Sequence, residues 1–119
     1  MINMVRRDYL PAVEKYMRDL AATASKKRAL LDNIGVRVET DLIRRLTAFA
    51  EEAYRLVDKL EEEEEVAAKI SDGYDKAREY ADKILPLMDE LRAAVDGMEP
   101  LTAAEYWPVA TYGDLMFGV

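Results

Sequence analysis

The sequence predicts an all-α protein, an up-down-up bundle of three long helices with a docked, mostly irregular C-terminal tail. Three observations lead there. Half of the 119 residues are hydrophobic and 34% are charged, with only five Gly and four Pro, a mixture that favours long helices. Apolar residues recur at steps of three and four in three separate stretches, the spacing that lines one face of a helix. Between those stretches stand Asn33-Ile34-Gly35 and Ser71-Asp72-Gly73, short clusters that break helices and open turns. A chain of this length suits one domain and buries roughly two-thirds of its unfolded surface on folding. The pattern divides it into a bundle over residues 1–100 and an aromatic tail over residues 101–119.

The first helix is predicted from about Asp8 to Leu31 or Asp32. Asp8 can cap its start, and Pro11 then falls in the first turn, where a missing N–H is harmless. If a parent chain continues upstream, the helix starts earlier and kinks at Pro11 instead. Val13, Tyr16, Met17, Leu20 and Ala24 form its stripe. Asn33-Ile34-Gly35 supplies a left-handed residue to stop it.

The second helix is predicted from about Glu39 toward Ile70, with Leu42, Leu46, Phe49, Ala53, Leu56, Val57 and Leu60 inward. Glu61 to Glu65 are five consecutive acids, and any helical turn through them aims at least one at the former core face. Glu is a good helix former, so the expectation is that the helix projects past the bundle here.

Ser71 or Asp72 can cap the third helix, with Asp75 well placed in its first turn. Tyr74, Ala77, Ala81, Ile84, Met88, Leu91, Val95 and Met98 keep three-four spacing without a miss. Tyr74, Met88 and Met98 are therefore read as core. Pro86 lies within the stripe and should kink the helix, because it removes the bond to the carbonyl of Asp82. Gly97 and Pro100 end it. Thr102-Ala103-Ala104-Glu105 reads as a capping box opening one short helical turn.

Composition narrows function as well. The net charge is −7, a field that repels phosphate backbones, so no nucleic-acid partner is expected. Lys26-Lys27-Arg28 reads as a helix C-terminal turn complementing the macrodipole. No apolar run approaches the roughly 20 residues that span a bilayer, so no membrane partner is expected either. The N-terminus has no signal-peptide h-region, and it reads as though cut from a longer chain. With no cysteine, nothing calls for an oxidising compartment, and a cytoplasmic setting is the default.

Chemistry is hard to find. There is no histidine, which removes the usual general base and metal ligand and every Ser-His or Cys-His nucleophile. The glycines stand singly, so no phosphate-binding loop occurs. Paired acids such as Glu51-Glu52 and Asp89-Glu90 point about 100° apart on a helix and read as solvation rather than metal binding. No catalytic, cofactor-binding or metal-binding residue is assigned. The exceptions to ordinary patterning are the tail aromatics: Tyr106, Trp107, Tyr112, Leu115, Met116 and Phe117 are too apolar to float in water. They form the candidate contact surface, either on their own bundle or against another subunit.

The run Trp107-Pro108-Val109-Ala110-Thr111-Tyr112-Gly113-Asp114-Leu115-Met116-Phe117 resembles the extreme C-terminus of type III glutamine synthetases, the large bacterial form. Leu10-Pro11-Ala12-Val13, with Tyr16 and Leu20-Ala21, is similar to the start of that family's C-terminal helical extension. Ile84-Leu85-Pro86-Leu87-Met88, continuing to Leu91-Arg92 and Val95-Asp96, resembles its last long helix. Ala110 departs from the pattern, where a second proline would be expected. The resemblance implies a parent enzyme of nitrogen metabolism that ligates ammonia to glutamate with ATP and Mg or Mn. It implies that the catalytic residues lie upstream of this segment, in a ring-built oligomer. The partners so implied are the rest of the parent synthetase and its neighbouring subunits, and the role is structural or subunit packing. The alternative is a free-standing helical adaptor that holds a partner through its apolar tail and its acidic helix end.

Overall fold

The structure, a computed structural model, describes residues 2–108. Those residues fold into three long helices and no strand. Helix α1 covers residues 2–30, α2 covers Arg37–Ala68, and α3 covers residues 73–98, followed by a single 3₁₀ turn at Glu99–Leu101. At 1.5 Å per residue, α2 alone is about 48 Å long. The molecule measures 65 × 29 × 17 Å, so its thin dimension is less than two helix diameters. The helices form nearly a single layer, with α2 packed against both of the others.

The pairings along α2 run against the sequence on both sides. On one side Arg6 meets Glu61, the Thr47 hydroxyl reaches the Met17 sulfur, and Lys27 meets Glu39. On the other side, Phe49 lies against Gly97 and Glu63 against Glu79. The core follows the α2 stripe: Leu46, Ala53, Leu56, Val57 and Leu60 are buried between Val13 and Met17 of α1 and Ile84, Leu91, Val95 and Met98 of α3.

Both Leu-Pro dipeptides leave the same mark. Helix α1 begins well before Asp8 and contains a π turn at Val5–Tyr9, closed by the Leu10 N–H bonding the Val5 carbonyl. Helix α3 contains a π turn at Tyr80–Ile84, closed by the Leu85 N–H bonding the Tyr80 carbonyl. A proline inside a helix cannot donate to the carbonyl four residues back, and its ring crowds that carbonyl. Widening the preceding turn by one residue relieves the crowding while keeping the chain helical. The helix thus starts upstream of Asp8, the second of the two readings of the sequence. Asp8 therefore does not cap it, and Pro11 does not lie in its first turn. At Pro86 the irregularity takes the form of a π turn just before the proline. The widening also re-aims side chains. At 100° per residue, Val5 and Val13 would stand about 80° apart, yet both are completely buried.

The same widening breaks the predicted α3 stripe. Tyr74 is 72% exposed, and Gly73–Glu79 contributes no buried residue, so Tyr74 is not core. Ile84 and Met98 are buried as predicted, and Met88 is half-buried. Helix α2 does not project free through its glutamates. It stays helical to Ala68, with Leu60 and Ala67 buried and Glu63 turned toward α3.

The helix ends differ in kind. Of the two candidate caps, Ser71 and Asp72, it is Asp72 that caps α3, its carboxylate accepting from the N–H groups of Tyr74 and Asp75 at 2.8 and 3.1 Å. Helix α1 stops at Leu30 because Leu31 turns extended, and no left-handed glycine is used there. Gly97 lies inside α3 rather than ending it, and a Cβ there would sit 2.5 Å from the Phe49 ring. The single turn expected after Thr102 is present, closed by the Tyr106 and Trp107 N–H groups on the Ala103 carbonyl at 2.9 and 3.3 Å, but Thr102 does not cap it. Its hydroxyl donates back to the Met98 carbonyl at 2.8 Å, satisfying the end of α3.

Candidate functional site

After Thr102 the chain crosses from the end of α3 to α1, and its aromatic side chains land on two tyrosines. Trp107 lies on Tyr9 with ring centroids 4.9 Å apart and planes tilted by 31°. Tyr106 lies on Tyr16 at the same separation, tilted by 46°. Both separations fall within the range where aromatic pairs attract beyond simple area burial. Tyr9 and Tyr16 are seven residues apart, two helical turns, so one face of α1 presents both rings. The Tyr106 hydroxyl donates to an Asp19 carboxylate oxygen at 2.5 Å, giving the polar end of the ring a partner.

Of the six residues singled out from the sequence, the structure thus places Tyr106 and Trp107 together against α1. Tyr112, Leu115, Met116 and Phe117 lie outside the described residues. The receiving side, Tyr9, Tyr16 and Asp19, was missed as a set. Tyr9 and Tyr16 share a face by their spacing, but nothing in the sequence says that the tail returns to it.

Electrostatics around this clasp are static rather than poised. The hydrogen bond from Tyr106 holds the Asp19 carboxyl below its usual range, and the same bond raises the Tyr106 phenol above its own. Each shift moves a group away from neutrality, where proton transfer is most effective. Glu39 behaves like Asp19. It is 5% exposed, and the Lys27 ammonium donates to it at 2.5 Å, which lowers its carboxyl. Lys27 thus ties the end of α1 to the start of α2, beyond its predicted role toward the helix dipole.

On the α1–α2 flank, Leu10, Pro11, Thr47, Ala50 and Tyr54 line an open groove of about 580 Å³. Four charged residues, Arg6, Glu14, Glu51 and Arg55, complete its lining. Among the described residues no group of three or more His, Cys, Asp or Glu could hold a metal ion. No helix among them is long and apolar enough to cross a membrane. Comparison with known proteins finds no matching family model, no matching curated protein and no matching solved structure.

Proposed function

We propose that this chain is a non-catalytic packing domain, an up-down-up bundle whose tail is laid along α1, belonging to a type III glutamine synthetase. The observation that carries the reading is the clasp of Tyr106 and Trp107 on Tyr16 and Tyr9. It anchors the start of the same segment whose sequence bears the resemblance. The Leu10-Pro11 and Leu85-Pro86 segments, which carry the rest of the resemblance, each shape a π turn. They therefore act on the geometry of the rods, which is what a packing role requires. The reversed order of contacts along α2 supports the up-down-up arrangement.

In this reading the parent supplies ATP, divalent metal and all catalytic residues, and the bundle meets the catalytic body or a neighbouring subunit. Glutamate–ammonia ligase assays on the purified chain should give no turnover, and measurable turnover would overturn the proposal. The coding DNA upstream of Met1 discriminates further. An in-frame catalytic domain supports the packing role, whereas a ribosome-binding site behind a stop codon would favour a free-standing adaptor.

A further inference from the structure

The acidic end of the bundle holds two carboxyl groups in an arrangement that neither helix needs for itself. Glu63 is the member of the glutamate run that turns toward α3, and Glu79 faces it from the turn before Tyr80–Ile84. Glu79 stands five residues before Ile84, and residues five apart come near one line across a π turn. The widened turn therefore presents a glutamate where the regular stripe would present Tyr80 or Ala81. One oxygen of each carboxyl, Oε2 of Glu63 and Oε1 of Glu79, is buried and has no donor. The Glu79 side chain is only 11% exposed.

Two ionised carboxylates so placed repel each other and lose hydration. A single proton between them turns the repulsion into a hydrogen bond and satisfies both buried oxygens. The charged groups bearing on Glu79 are Glu63 across the interface and Lys83 one turn along its own helix, whose ammonium lies 3.6 Å away. Lys83 favours the ionised form. The facing Glu63 and burial outweigh it, and Glu79 is held above its ordinary value of 4.5.

We propose that Glu63 and Glu79 form a proton-operated latch that holds the start of α3 against the end of α2. With one proton shared, the latch is closed; as that proton is lost, residues 73–84 loosen from the bundle. Ile84 anchors the far end of that segment in the core, but Gly73–Glu79 adds no buried apolar side chain of its own. The sign follows from linkage: a carboxyl raised in the folded state contributes stability fully present below its unfolded value near 4.5. That contribution is lost as pH rises through the higher folded value. The window lies above pH 4.5, apart from the acid range in which Glu39 and Asp19 lose their partners.

The test combines a direct titration with a variant. In the intact chain, carboxyl carbon NMR should show Glu79 titrating with a midpoint clearly above 4.5, and amide protection across residues 73–84, taken relative to the intrinsic exchange rate at each pH, should fall severalfold over the same interval. Glu79→Gln keeps a donor for Glu63 and cannot ionise. It should abolish the pH dependence of that protection and keep it high at neutral pH. An ordinary glutamate midpoint for Glu79, or protection whose pH dependence is the same in Glu79→Gln, would overturn the latch.

Discussion

The middle of α2 and its acidic C-terminal end are held in different ways. Around Leu46, Phe49 and Ala53, α2 packs against Met98 and Gly97 on one side and Val13 and Met17 on the other. The Tyr9–Trp107 and Tyr16–Tyr106 pairs close the adjoining face of α1. Around Glu61 to Glu65, the same helix meets Arg6 through Glu61 and Glu79 through Glu63, opposite a stretch of α3 without a buried side chain. Apolar burial carries no titrating charge, whereas carboxyl contacts change with pH. The acidic end buries Leu60 and Ala67 as well, but it alone adds a facing carboxyl pair that can respond to pH.

Several substitutions should sharpen that contrast. Leu56→Ala or Leu91→Ala removes a completely buried side chain and should lower stability most, by about 3 kcal/mol, read as a drop in the urea midpoint with an unchanged slope. Trp107→Ala removes a half-buried ring that joins the tail to α1 and should cost about 2 kcal/mol. An unchanged melting temperature would mean that the clasp contributes nothing in the isolated chain. Gly97→Ala sets two effects against each other. Helix propensity favours Ala by about 1 kcal/mol, but the new methyl would press on the Phe49 ring, and overpacking costs about 1–3 kcal/mol. Calorimetry should show a small net loss, and a gain would mean that the ring simply moves aside.

The smallest effects lie at the polar contacts. Asp72→Ala should cost about 1 kcal/mol by freeing two N–H groups at the start of α3, with faster amide exchange confined to that turn. Glu39→Gln should flatten the acid limb of the stability profile. Its carboxyl is lowered in the folded chain, so its contribution is present above 4.5 and lost as pH falls through the lower folded value. An acid limb unchanged in this variant would remove Glu39 from the account.

Much of the rod architecture was legible in the sequence because apolar spacing on α2 is unambiguous: Leu46, Ala53, Leu56, Val57 and Leu60 were read as inward and are buried. The Asp72 cap was legible because an acidic side chain before a helix has a specific chemical use. The first half of α3 was misread. A strict three-four count assumes 3.6 residues in every turn, and the π turn before Pro86 rotates everything upstream of it. Tyr74 consequently faces solvent, and Glu79 faces the partner helix. The turn after Thr102 was legible, but the capping role given to Thr102 was not borne out. A threonine can serve the helix behind it as well as one ahead, and local sequence does not rank the two. Half of the aromatic clasp was visible in Tyr106 and Trp107. The other half, Tyr9, Tyr16 and Asp19, depended on a contact across 87 residues of chain that no local pattern encodes.

The most direct measurement of the contrast between the middle of α2 and its acidic end is residue-resolved native-state hydrogen exchange on the whole chain at one pH near neutrality. The account predicts the slowest exchange at Leu46–Leu56 of α2 and Leu91–Val95 of α3, and opening at low free-energy cost across 73–84. Uniform protection along α3, from its capped start to Met98, would contradict it.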